Sequence, residues 1–186
     1  MQKDYDLGFA YAQNFINMNE DDSASVLKWR NSFEVSRWMF TAHKISLEEH
    51  EAFIKGLASK NSAFYWMVKS GGKGLGVISI NGFNRDFRSA YLGIYANPEN
   101  GEKGRGGILM NALLHIAFAE FGLETLKLEV MASNEKAVSF YERNGFAHEG
   151  RLRSFAFHGG VREDVIIMGI MRDEALKIIS GSERNK

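Results

Sequence analysis

Cysteine does not occur in the 186 residues, which leaves no disulfide framework, no thiolate metal site and no cysteine nucleophile. A reducing compartment is implied. Net charge is missing too: 23 Lys and Arg stand against 23 Asp and Glu, a formal charge of zero. The electrostatic footprint of a nucleic-acid binder is therefore absent, and nucleic acid is not an expected partner. Met1 to Asp6 mix Lys and Asp with no apolar run behind them, so neither a signal peptide nor a membrane anchor is expected. The sequence accordingly points to the cytoplasm. His43, His50, His115, His148 and His158 show no metal-ligand spacing, so no metal is expected, and His50 reads as a surface residue of a helix.

Proline occurs once, and the 19 glycines exceed the average share of about 7 %. They cluster at Gly71 to Gly76 and Gly101 to Gly107, which points to turns and to close backbone approach. A chain of this length buries a core without stapling, so one domain is expected over residues 1–178, followed by a polar tail over 179–186. Residues 9–18 are apolar enough for a strand. Asp21 and Asp22 offer caps for a helix over 22–31, and the capping box of Ser46 and Glu49 opens another over 47–58. Runs 64–69 and 75–80 read as a hairpin, and after Asn81-Gly82 a further strand spans 89–96. Ile108, Leu109, Ala112, Leu113, Ile116 and Ala117 repeat at helical spacing over 107–120, with Gly122 as the stop. Thr125 to Met131 alternates as a strand, and Ser133 or Asn134 caps a short helix closed by Asn144-Gly145. Residues 146–157 and 161–171 finish as a hairpin turning at His158-Gly159-Gly160. This order predicts an α/β (α+β) fold, a single mixed sheet with helices on both faces.

The segment Gly101-Glu-Lys-Gly104-Arg105-Gly106-Gly107 lies between a predicted strand and a predicted helix. Glycines there let backbone N–H groups turn inward, and the following helix adds its positive end, which suits a pyrophosphate. An ordinary glycine turn is the alternative. Gly107 stands where a Walker loop needs lysine, and a dinucleotide fingerprint fails because its third glycine would fall on Leu109. The loop resembles the acyl-CoA loop of the GNAT superfamily, Gln or Arg, two residues, Gly, one residue, then Gly or Ala, with Gly101 in place of the first residue. Asn134-x-x-Ala137-x-x-Phe140-Tyr141-x-x-x-Gly145-Phe146 resembles that family's second signature at each named position.

This resemblance implies the GNAT fold, acetyl-CoA as cosubstrate and N-acetyl transfer as the activity. It implies that Gly104, Arg105, Gly106 and Gly107 cradle the pyrophosphate. Ile94 and Tyr95 would bind pantetheine through backbone groups, and Asn134 and Ala137 would line the same groove. Tyr141 is suited to protonate the departing thiolate, since a phenol of pKa about 10 is protonated at neutral pH; packing on the sheet is its alternative role. An attacking amine must be neutral, and Glu129 or a relay water held by Ser79 can take its proton, with a solvated carboxylate and a satisfied hydroxyl as the plain alternatives. A backbone N–H near Ile94 or Tyr95 would meet the negative charge on the thioester oxygen.

Trp29-Arg30-Asn31 followed by Trp38-Met39-Phe40, the strand Tyr91 to Tyr95, Leu128-Glu-Val-Met131, and Glu149-Gly-Arg-Leu-Arg153 together resemble the bacterial PseH family over residues 25–157. Those enzymes acetylate the 4-amino group of a UDP-linked 4-amino-4,6-dideoxy-N-acetylaltrosamine on the route to pseudaminic acid, which decorates flagellin. The resemblance implies a small nucleotide-sugar substrate touched by Met39, Phe40, Phe53, Tyr91 and Glu129. Arg30 is a candidate for the diphosphate, with an ordinary surface charge as its alternative role. An acetyltransferase of the ribosomal-protein or aminoglycoside type and a non-catalytic acetyl-CoA-binding module are the competing readings. Oligomeric state is left open, a homodimer included.

Overall fold

The structure is a computed structural model that describes residues 2–41, 43–158 and 160–183. One sheet carries eight strands in the order β1-β2-β3-β4-β5-β6-β8-β7. They are β1 (Tyr5–Asp6), β2 (Tyr11–Asn14), β3 (Ala63–Ser70), β4 (Lys73–Asn84), β5 (Ser89–Ala96), β6 (Thr125–Met131), β7 (Ala147–His158) and β8 (Val161–Met171). All neighbours run antiparallel except β5 and β6. The helices are α1 (Glu20–Asn31), α2 (Phe33–Ser36), α3 (Leu47–Leu57), α4 (Arg105–Leu114), α5 (Glu135–Arg143) and α6 (Arg172–Glu183).

Local chemistry explains most boundaries. The capping box of Ser46 and Glu49 starts α3 as its spacing predicts. Asn19, rather than Asp21 or Asp22, caps α1, its side chain accepting from the Asp22 amide at 2.8 Å. Gly71 and Gly72, at φ +54° and +76°, make the two-residue turn between β3 and β4 whose twist matches the strands. The strand expected over 9–18 is shorter, because Phe15–Asn17 coils into a 3₁₀ turn capped by Asn14. Helix α4 passes into a wider π turn at His115–Glu120.

Two expectations fail outright. Asn81-Gly82 does not end its strand: β4 continues to Asn84 through a register shift, with Gly82 at φ +60° absorbing the irregularity. No tail begins at 179, because Arg172–Glu183 forms α6 and buries Ala175 and Ile179 in the core. Its pattern of Ala175, Leu176, Ile178 and Ile179 has helical spacing, but nothing after Met171 separates strand from helix. Residues 184–186 of that expected tail, and Gly159 of the predicted last turn, lie outside the described residues.

The sheet buries both faces. On one, Leu109, Leu113, Ile116 and Phe118 pack with Leu92, Leu126 and Leu128. On the other, Val26, Trp29 and Leu57 pack with Phe15, Met67 and Val77. The decisive irregularity lies between β5 and β6, which pair only from Ser89, Ala90 and Tyr91 to Thr125, Leu126 and Lys127. Beyond Tyr91 the strands part. Backbone groups of alternate residues in the second half of β5 then face a gap rather than a neighbouring strand, and a buried polar backbone requires a partner.

Candidate active site

A cavity of about 840 Å³ opens at this gap, a size suited to a small-molecule site. Arg105, Asn134, Ala137 and Tyr141 line it from the α4 and α5 side, while Arg30, Met39, Phe53 and Tyr65 line it from the α1 and α3 side. The gap in the sheet joins the two. Such a passage lets two substrates approach one point from opposite faces.

On the first side, Gly104 caps α4 at φ +84°, a left-handed backbone that glycine adopts without strain. The amides of Gly107 and Ile108 turn back to its carbonyl at 2.9 and 3.3 Å, leaving those of Arg105 and Gly106 at the open helix end. Unsatisfied amides at a positive helix end hold anionic oxygens. Arg105 adds charge there; its Nη1 donates to the carbonyl of Glu102 at 3.1 Å, and its Nε is buried without a partner. Gly106 packs against α5, since a Cβ at that position would lie 3.2 Å from the Phe140 ring. Gly106→Val should therefore push the loop off α5 and raise the KM for acetyl-CoA by about tenfold or more, the worth of a lost charge-assisted hydrogen bond. Steady-state kinetics checks this; an unchanged KM would remove the loop from the cofactor site.

Asn134 starts α5 by accepting from the Ala137 amide at 3.2 Å, and one turn after Ala137 comes Tyr141 on the same helix face. Tyr141 is only 8 % exposed, and burial pushes its phenol well above the ordinary value of 10. Phe140 and Phe146 hold the ring at centroid distances of 5.6 and 5.8 Å. The group is thus a fixed, protonated donor on the cavity wall.

On the opposite side, the register sets Tyr65, Ser79 and Gly93 in one row across β3, β4 and β5. Ser79 is buried, and its Oγ accepts from Asn81 Nδ2 at 2.9 Å, while Tyr65 Oη donates to Asn81 Oδ1 at 2.7 Å. Arg30 lies near Tyr95; burial lifts the Tyr95 phenol far above its usual value against the pull of that charge. Burial also works against the Arg30 charge, lowering its pKa despite the opposing influence of Tyr95. One guanidinium nitrogen, Nη1, is buried with no partner, and no carboxylate among the described residues pairs with Arg30.

The cavity brings together Arg30, Met39, Phe40, Phe53, Ser79, Ile94, Tyr95, Arg105, Glu129, Asn134, Ala137 and Tyr141. Tyr91 does not line it: it stands on the same face of β5 as Gly93 and Tyr95 but at the paired end of the strand, 40 % exposed. Gly104, Gly106 and Gly107 flank the cavity at the start of α4 rather than form its wall. The Tyr95 side chain packs among the residues beside α1 and α3, on the face opposite the glycine loop. His50 is no surface residue. It is 5 % exposed, and its Nε2 lies 3.1 Å from the Ser23 carbonyl, tying α3 to α1 at the cavity wall. Sequence spacing missed Tyr65 and Asn81, whose roles depend on strand register.

Known proteins share this fold. Residues 14–147 match the family described as Acetyltransferase (GNAT) domain. The chain is similar to acetyltransferase PseH of Campylobacter jejuni, with 35 % identity over 134 residues, covering 72 % of this chain and 82 % of that protein. Its fold is similar to the crystal structure of Campylobacter jejuni PseH, with a TM-score of 0.69, 27 % identity and coverage of 88 % of this chain and 99 % of that one. It is also similar to spermidine N-acetyltransferase from Vibrio cholerae in complex with CoA and spermine, with a TM-score of 0.83, 25 % identity and coverage of 91 % and 99 %.

Proposed function

This chain belongs to the GNAT acetyltransferase family, and from that premise we propose that its acceptor is the 4-amino group of a UDP-linked 4-amino-4,6-dideoxy sugar on the route to pseudaminic acid. Membership makes the protein an enzyme, an acyltransferase, and sets aside the binding-module reading. The family uses acetyl-CoA, and the residues present fit it: an open strand edge, unsatisfied amides at the start of α4, and a passage through the sheet. When bound, acetyl-CoA supplies an acyl group activated as a thioester.

The protein's own groups then divide the work. The acceptor nitrogen bonds to the carbonyl carbon, the C–S bond breaks, and the products are an N-acetyl amide and coenzyme A thiol. Tyr141 supplies the proton that the departing sulfur needs. Backbone N–H groups of β5 near Ile94 and Tyr95 receive the negative charge on the carbonyl oxygen. The proton lost by the nitrogen passes to Glu129, directly or through a water held by Ser79. Both residues line the cavity.

The observation that carries the acceptor assignment is Arg30. A half-buried guanidinium with an unpartnered nitrogen, and with no carboxylate paired to it among the described residues, leaves its desolvation uncompensated until an anion arrives. A diphosphate supplies that anion in a geometry the guanidinium fork matches. Met39, Phe40 and Phe53 offer sulfur and aromatic surface to a uracil or a deoxysugar methyl.

Likeness to a spermidine acetyltransferase favours a second reading, in which Glu34, Glu49 and Glu129 of the cavity wall bind a polyamine. Glu49 is already engaged, accepting from the Ser46 amide at 2.7 Å and meeting His43 at 2.9 Å. A cationic amine about 4 Å from Arg30 would also be repelled by about 4 kcal/mol at an effective dielectric of about 20. Steady-state rates across a panel of UDP-amino sugar, spermidine, spermine, aminoglycoside and protein N-terminal peptide test the assignment. The highest kcat/KM is expected for the sugar; a highest value for any other member would replace it.

A further inference from the structure

We propose that Asn97 and Asn100 are positioning residues that set the shape of the pyrophosphate loop from behind, without touching the cofactor. The inference rests on the reading above that acetyl-CoA places its pyrophosphate at the start of α4, and it assigns what holds that loop in place. Between Ala96 at the end of β5 and Arg105 at the start of α4 the chain runs Asn97-Pro-Glu-Asn-Gly-Glu-Lys-Gly104. Glu99, Gly101, Glu102, Lys103 and Gly104 of this stretch are exposed, so little apolar packing fixes it. Asn97, by contrast, is 8 % exposed.

The two asparagines tie this stretch to β4. Asn97 donates from its backbone N–H to the Leu75 carbonyl at 2.8 Å and from Nδ2 to the Gly74 carbonyl at 2.9 Å, and its Oδ1 accepts from the Glu99 amide at 2.9 Å. Asn100 repeats the arrangement further along: its Nδ2 donates to the same Gly74 carbonyl at 3.4 Å, and its Oδ1 accepts from the Glu102 amide at 2.9 Å. The Glu102 carbonyl then receives Arg105 Nη1 at 3.1 Å, which carries the connection to the first residue of α4. Each partner of the two side-chain amides is a backbone group. A carbonyl only accepts and an N–H only donates, so the partners themselves settle which end of each amide faces them. Gly74, the shared anchor, is paired with Lys69 in the sheet, and a Cβ there would stand 2.5 Å from both Met67 Cε and Trp29 Cη2.

Held this way, the loop offers the amides of Arg105 and Gly106, and the Arg105 side chain, in a fixed place. A free segment of seven residues with four glycines, 101–107, would have much backbone freedom to lose on binding, and that loss would weaken its hold on a ligand. The Lys28–Glu99 ion pair at 2.5 Å also joins the loop to α1. Both of its partners are more than half exposed, and such a pair contributes little. The asparagines therefore carry the preorganisation.

Asn100→Ala is the first test, because Asn100 is only half-buried, and Asn97→Ala the second. Each is measured with whichever member of the acceptor panel gives the highest kcat/KM. The Kd for coenzyme A, read by titration calorimetry, should rise about tenfold, and the KM for acetyl-CoA with it. The kcat at saturation and the acceptor's KM should stay within about twofold of the parent, because the loop touches neither the acceptor nor the reacting atoms. S-acetylpantetheine, a donor without the pyrophosphate, should be used by parent and variants with the same kcat/KM. An unchanged Kd for coenzyme A would overturn the proposal, and so would equal losses of kcat/KM with both donors, which would make the asparagines structural only. The cofactor-loop reading is tested separately: if Gly106→Val also leaves the KM for acetyl-CoA unchanged, that reading fails. A raised KM in Gly106→Val beside unaffected asparagine variants removes this inference alone.

Discussion

Tyr141→Phe is expected to bind acetyl-CoA as the parent does and to lose about 100-fold or more in kcat, the usual worth of a positioned general acid. Binding should persist because the ring contacts with Phe140 and Phe146 do not involve the hydroxyl. The loss should fall on kcat because the phenol matters only once sulfur begins to leave. Burial pushes this phenol above 10, so it remains protonated through the pH range in which the acceptor amine becomes neutral. The parent's kcat should accordingly show no decline attributable to this group up to about pH 9. Single-turnover rates at saturating acetyl-CoA measure the effect; a change below about threefold would mean that water protonates the thiolate.

The second large effect is expected at Arg30. Arg30→Met keeps a long apolar stem against Tyr95 and the cavity wall but removes the charge. It should lower kcat/KM for the UDP-amino sugar by about 10- to 100-fold, as expected for one charge-assisted hydrogen bond to phosphate. The loss should appear mainly in the sugar's KM, since the diphosphate is held equally before and during transfer. For spermidine the same variant should lose nothing, because the repelling charge has gone. Equal losses for both acceptors would mean that Arg30 is structural.

How much of this was legible in the sequence follows from how local each signal is. Asn134, Ala137 and Tyr141 are neighbours on α5, a helix that Asn134 itself caps, so one short motif resembling the family's signature carries all three. The capping box of α3 and the alternation of β6 are equally local. The acceptor side is different: Arg30 of α1 lies near Tyr95 of β5, and the His50 ring of α3 meets the carbonyl of Ser23 on α1. Neither partner is implied by spacing. Tyr65, Ser79 and Asn81 come together only through the register of β3 on β4, and Asn81-Gly82 carried a strong turn signal that concealed a strand continuing past it. Tyr91 lies outside the cavity wall for a related reason, since the point where β5 leaves β6 decides which of its residues reach the cavity.

The central claim is that the acceptor is an anionic nucleotide sugar rather than a polycation. Its most direct test offers acetyl-CoA to the parent enzyme with UDP-4-amino-4,6-dideoxy-N-acetylaltrosamine and spermidine at equal concentration, and follows both products by mass spectrometry over initial turnover. The account predicts that the sugar's 4-amino group takes nearly all of the acetyl; N-acetylspermidine as the main product would contradict it.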